Sequence, residues 1–196
     1  ISNPIYSDNI QMELGQTVDR MQVQMINLTL PWILGIAVFL FYALISYLRI
    51  SKKVATAVLY RENIFQSEYI DTPFVLGIFR PKIYLPYNVK SEHFEYVIAH
   101  EQAHISRKDH WWKPLGFLLC TIYWFHPLMW LAYALFCRDM ELACDEKVIR
   151  NWNNGQKATY MEALLACSLQ RPLGFSCPLA FGEIGVKERV KAIMNY

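Results

Sequence analysis

No pair of the five cysteines in this 196-residue chain has Cys-x-x-Cys spacing, and an odd number cannot all be paired. Cys120, Cys137, Cys144, Cys167 and Cys177 therefore read as reduced thiols rather than a disulfide framework. Charge of one sign is equally scarce. Nineteen Lys and Arg face seventeen Asp and Glu for a net +2, and the basic residues are scattered apart from Arg49, Lys52 and Lys53. That distribution leaves no footprint for direct nucleic-acid binding. There is no internal repeat, no low-complexity stretch, and no basic start followed by an apolar run of the signal-peptide kind. The first residue is Ile, so the chain reads as a piece of a longer protein.

Apolar residues are abundant: 54% are hydrophobic and 15% aromatic, more than a soluble domain of this length usually carries. Membrane segments account for the excess. Leu28 to Leu48 is 21 residues without a charge, and at 1.5 Å rise per residue it can cross a bilayer core of about 30 Å. Trp32 and Tyr47 near its ends and the cations Arg49, Lys52 and Lys53 just after it suit a membrane interface, with the C-terminal side in the cytoplasm. The sequence thus divides into residues 1–27, an extracytoplasmic loop or surface helix; residues 28–48, a transmembrane helix; and residues 49–196, a cytoplasm-facing domain.

The chemistry of that domain is concentrated in two short segments. Residues 100 to 104 read His-Glu-Gln-Ala-His, and positions i and i+4 of a helix share a face, so His100 and His104 can present two ring nitrogens to one metal with Glu101 beside them. Such a string also occurs by chance on surface helices. Here it lies in a well-formed helical stretch, with Phe94, Val97, Ile98 and Ile105 on one apolar side, Ser91 as a cap, and no Pro or Gly from Glu92 to His110. Downstream, Glu141 and Asp145 stand four residues apart in a second helical stretch. Glu141 supplies a third ligand and leaves a fourth position open, as in catalytic rather than structural zinc sites. Asp145 is the candidate carboxylate for the outer N–H of a ligating imidazole. Cys144, between the two, reads as a small buried apolar group.

The metal reading also constrains topology. The uncharged stretch from Pro114 to Cys137 is interrupted by His126-Pro127, and Pro disfavours helix in the residue before it. A straight span would carry Glu141 roughly 35 Å from the His pair. Two antiparallel helices bring it back, either buried in the fold or dipping into the bilayer. Ahead of the His pair, Lys53 to Leu59 is β-branched, and Phe74 to Phe79 and Lys82 to Leu85 flank Arg80-Pro81 as a strand pair. Pro-fenced strands belong at sheet edges, which makes Phe74, Val75, Leu76 and Gly77 a candidate substrate-binding edge, as well as an ordinary supporting sheet. After Ile149, a turn at 151–155 leads to a helix over Lys157–Leu169 with Ala163, Leu164, Cys167 and Leu169 inward, then a Pro/Gly-rich loop and a short basic helix over Val186–Met194. The fold class is mainly α with a small β-sheet, an α+β zinc-peptidase-like domain on a transmembrane helix.

Four segments in order carry a resemblance: residues 73–86, 100–109, 124–133 and 138–146, from Pro-Phe-Val-Leu-Gly-Ile-Phe-Arg-Pro to Arg-Asp-Met-Glu-Leu-Ala-Cys-Asp-Glu. They are similar to the BlaR/MecR family of membrane zinc metallopeptidases, bacterial beta-lactam sensor-transducers and related antirepressors. The resemblance implies a gluzincin-type domain in a multi-pass protein of the bacterial membrane, facing the cytoplasm. It implies one zinc on His100, His104 and Glu141, with Glu101 as the catalytic carboxylate. The implied partners are membrane lipid and a protein substrate, either a DNA-binding repressor or the chain itself. The chain ends at Tyr196 without the sensor domain of the beta-lactam receptors, so the signal stays unassigned. The segment from Phe175 to Glu183, near Ala180-Phe181, is the candidate for self-cleavage, alongside a plain connector role. A prenyl-protein-type membrane endoprotease and a non-catalytic scaffold with a vestigial site are the competing readings. For the oxyanion, His110, His126 and Tyr160 are candidates.

Overall fold

A computed structural model describes residues 4–169 and 185–196, so the self-cleavage segment proposed above lies outside the described residues. The chain forms two units, Ile1–Phe41 and Tyr42–Tyr196. Helix α1, Pro4–Lys53, runs without interruption through what was expected to be a separate outer loop or surface helix. Pro31 is accommodated within it. Its portion Asn27–Lys53 is long and apolar enough to cross a membrane, and Leu28, Ile33, Leu34, Val38 and Phe41 are exposed along it.

Four short strands follow: β1 Val58–Arg61, β2 Ile64–Ser67, β3 Phe74–Leu76 and β4 Lys82–Pro86. They form one mixed sheet in the order β1-β2-β4-β3, with β2 parallel to β4 and the other pairs antiparallel. The stretch Lys53 to Leu59 is mostly helix end and turn. Pairing begins only at Val58, in a hairpin with β2 whose tight turn holds Glu62 at φ 42°. β3 pairs with β4 as expected but stops at Leu76. Gly77 adopts φ 108°, and a Cβ there would meet the Arg80 carbonyl oxygen at 2.7 Å, so the chain turns where extended backbone was expected. The sheet edge therefore comprises Phe74, Val75 and Leu76 without Gly77.

β4 is one of the two inner strands, with Ile83 and Leu85 inaccessible. These two and Ile64 pack against Val97 and Ile98 of α2, Ser91–Ser106, and Ala163 of α5, Asn154–Leu169. Phe94 and Ile105 join the rim of that cluster. Ser91 does not cap α2: Lys90 is the N-cap residue, and no side chain caps the helix. The α5 start is held by a reciprocal pair, Gln156 N–H to Asn153 Oδ1 at 2.9 Å and Asn153 N–H to Gln156 Oε1 at 3.0 Å. This capping box starts the helix three residues earlier than periodicity indicated.

Helix α2 ends at Arg107 and Lys108, the latter at φ 63°, and α3 begins at once, Asp109–Ile122. A turn at Tyr123 to His126, closed by His126 N–H to the Tyr123 carbonyl at 2.8 Å, leads into α4, Pro127–Ile149, with Pro127 at the first helical position. The two helices run antiparallel. Lys113 meets Glu141, Gly116 faces the Tyr133 ring, and Cys120 donates to the Met129 carbonyl, so partner numbers fall as residue numbers rise. The outer face of this hairpin is apolar and exposed at Leu115, Leu118, Leu119, Leu128, Leu131 and Leu135. Helix α6, Val186–Asn195, closes the unit through Ile193, which packs with Ile149 and Tyr160.

Candidate metal centre

α2 places His100 and His104 one turn apart, and α4 brings Glu141 against both. The two Nε2 atoms are 3.1 Å apart; His100 Nε2 lies 3.4 Å from Glu141 Oε2, and His104 Nε2 lies 3.5 Å from Glu141 Oε1. A tetrahedral ion bonded to three donors at about 2.0–2.1 Å separates them by roughly 3.3 Å. Two imidazoles and one carboxylate at that spacing are a donor set that fits zinc. All three residues are buried, at 7%, 8% and 3% exposure.

Each ring is held from behind. The His100 Nδ1–H donates to Tyr160 Oη at 2.8 Å, and the Tyr160 hydroxyl donates to Asp145 Oδ1 at 2.5 Å. Asp145 also lies 3.3 Å from His100 Nδ1 directly. Asp145 thus stands behind His100, with the Tyr160 hydroxyl bridging the two. On the other ligand, the His104 Nδ1–H donates to Asp109 Oδ2 at 2.7 Å, and the Cys144 thiol donates to the same oxygen at 3.2 Å. Both partners turn the rings so that the Nε2 lone pairs face each other and Glu141.

His104, Asp109 and Cys144 form a second cluster of metal-ligating types. Its 2.7 Å contact is a hydrogen-bond length, well inside the ligand–ligand spacing of a tetrahedral ion, so this cluster reads as support for His104. Burial pushes the Cys144 thiol up, which keeps it protonated and able to donate. Cys144 is fully buried, as its small apolar reading required, yet it also carries a hydrogen bond that reading did not include.

The electrostatics follow from burial among opposite charges. Burial depresses the His100 ring, but Asp145 and Glu141 outweigh it and lift the ring to about 9. His104, opposed by burial and favoured by Asp109, Cys144 and Glu141, rises to about 10. Burial would raise the Glu141 carboxyl, yet the two imidazoles and Lys113 hold it well below the usual carboxylate range. Protons and a bound cation therefore compete for the same ring nitrogens.

Glu101 is 8% exposed and lines a cleft of about 40 Å³ with Pro73, His100, Leu164 and Arg189. Among the described residues no hydrogen bond reaches its carboxylate. Of the three oxyanion candidates, Tyr160 is committed to His100 and Asp145, His126 caps the tip of the hairpin as the N-cap of α4, and His110 sits at the start of α3. Sequence reasoning missed Asp109, Lys113 and Arg189. Asp109 stood inside the quoted motif, five residues past His104, but only the αL turn at Lys108 makes it a partner. Lys113 Nζ reaches Glu141 Oε1 at 3.1 Å from across the hairpin, and Arg189 arrives from a distant helix.

The chain as a whole is similar to known proteins. A family model described as BlaR1 peptidase M56 matches residues 2–193, and the chain belongs to that family. It is 27% identical over 217 residues to the methicillin resistance mecR1 proteins of Staphylococcus aureus and Staphylococcus epidermidis, covering 96% of this chain and 37% of theirs. To the regulatory protein BlaR1 of Bacillus licheniformis it is 26% identical over 196 residues, covering 84% of this chain and 32% of that protein. The chain thus spans about a third of the length of these relatives.

Proposed function

We propose that the chain is the catalytic part of a membrane-tethered zinc metalloendopeptidase that acts in signal transduction by cleaving a repressor-type protein or its own chain. The observation that carries this reading is the trio of donors 3.1–3.5 Å apart beside a buried, uncommitted glutamate on a cleft. His100, His104 and Glu141 would hold one zinc ion. Bound there, zinc would supply a Lewis acid that polarises a peptide carbonyl and acidifies water. Glu101 takes the proton of the attacking water and returns it to the leaving amide nitrogen. Pro73, the residue before β3, lines the same cleft, which supports the reading that the Phe74, Val75, Leu76 edge holds an extended substrate by backbone pairing.

The domain division belongs to the same reading. Asn27–Lys53 crosses the membrane, Arg49, Lys52 and Lys53 keep its C-terminal end in the cytoplasm, and the remainder carries the site. The exposed leucines of the α3–α4 hairpin favour insertion into lipid over burial in the fold. Mass spectrometry of cleaved proteins in cells expressing the unaltered chain or Glu101→Gln tests the function. Fragments that vanish in the variant are expected, including new N-termini within Phe175 to Glu183 if the chain processes itself. An identical fragment set would leave the scaffold reading in place. A prenyl-protein-type protease needs several more spans around a chamber, and the described residues hold one candidate span.

A further inference from the structure

Arg189 enters the metal centre from α6, the element whose sequence offered only a short basic helix. It is 6% exposed, and its guanidinium makes two parallel bonds to Asp145, Nε to Oδ2 at 2.7 Å and Nη2 to Oδ1 at 2.7 Å. The third nitrogen, Nη1, lies 3.2 Å from Glu141 Oε2, and Nη2 lies 3.4 Å from His100 Nε2. One side chain therefore touches the carboxylate that supports His100 and the carboxylate expected to bind the ion.

A fully charged guanidinium this close to a cation site is repelled by that cation, so its presence needs a compensating role. The fork geometry supplies one. Two parallel bonds fix a carboxylate in plane and rotation, which a single ammonium contact does not do. With Asp145 fixed, the Tyr160 hydroxyl and the His100 Nδ1–H have a defined acceptor chain. Ile193 stands four residues on, hence on the same face of α6, and is 2% exposed against Ile149 and Tyr160. Apolar docking of α6 thereby delivers the guanidinium.

We propose that Arg189 is a positioning residue of the metal centre, and that α6 is a structural part of that centre. Arg189 orients Asp145 and Glu141 and so sets how His100 Nε2 and the Glu141 carboxylate are presented to the ion. The proposal rests on the reading of His100, His104 and Glu141 as ligands.

The test uses the full chain purified in detergent. Zinc affinity is measured by competition with a chromophoric chelator, and ligand geometry by the visible spectrum of the cobalt(II)-loaded protein. Arg189→Gln is expected to weaken zinc binding by about 10- to 100-fold and to alter the cobalt bands. Arg189→Lys, which keeps charge but loses the fork, is expected to fall between. Because Arg189 acts mainly through Asp145, adding Arg189→Gln to Asp145→Asn should cost much less than the two single effects combined. A merely structural arginine would lower the melting temperature and leave affinity and spectrum unchanged in the folded variants. That result overturns the proposal, and if the Gln variant fails to fold, the Lys variant decides. Failure of the unaltered chain to bind zinc would refute the ligand assignment and this proposal together; normal binding with unaffected variants refutes this proposal alone.

Discussion

Two imidazoles four residues apart are only as good a metal site as the groups that turn them. Here each ring has its own carboxylate, Asp145 through Tyr160 for His100 and Asp109 for His104. Asp109→Asn should weaken zinc affinity by about 10- to 100-fold, as should Asp145→Ala, measured by chelator competition. Cys144→Ala should change it little, since Asp109 keeps its bond to His104. Glu101→Gln should keep the metal and the fold and lose at least about 100-fold in peptide turnover, because an amide cannot take the proton. The pH dependence has a defined sign. The metal-free rings, at about 9 and 10, are raised above their ordinary value near 6.5, so the stability they add is complete below about 6.5 and is lost as pH rises through 9 to 10. Zinc competes with the same protons, so apparent affinity should rise over that window; a pH-independent affinity from 6.5 to 9 would contradict the protonation scheme. Asp145, lowered to about 2, acts oppositely: burial resists, Arg189 and His100 prevail, and its contribution is lost only as pH falls below about 3.8 toward 2.

At the scale of elements, what was legible in sequence was what repeats with the period of a helix or carries a proline signal. The His pair, the Glu141/Asp145 spacing and the break at His126-Pro127 are local patterns, and they place α2, α4 and the turn between α3 and α4 to within a few residues. The early end of β3 was not legible, because a positive φ at Gly77 is one option a glycine has and not one it announces. Arg189 was invisible for another reason: its partner Asp145 is 44 residues away, and only the docking of α6 joins them. The hairpin makes a prediction of its own. A Cβ at Gly116 would lie 2.9 Å from the Tyr133 ring, so Gly116→Val should force α3 from α4. Overpacking of this kind costs about 1–3 kcal/mol, and because α4 carries Glu141, zinc affinity should fall with thermal stability. Equal melting temperatures for the variant and the parent would show that the helices part without cost.

Across the whole molecule, a buried polar cluster that is the candidate metal centre and two apolar surfaces coexist in one chain. α1 exposes its apolar stretch, and the hairpin exposes leucines along its outer face. Leu118→Lys with Leu131→Lys should reduce retention in the membrane fraction or lower stability only in lipid, read by flotation of the chain in liposomes. Unaltered flotation would assign anchoring to α1 alone. The account as a whole depends on one claim, that His100, His104 and Glu141 together bind a catalytic ion. Zinc content by atomic absorption, on the unaltered chain and on His104→Ala, Glu141→Ala and Glu101→Gln, tests it most directly. One zinc per chain in the parent and in Glu101→Gln, with most of it lost from the other two, is the predicted result; full zinc in His104→Ala or Glu141→Ala, or none in the parent, would contradict it.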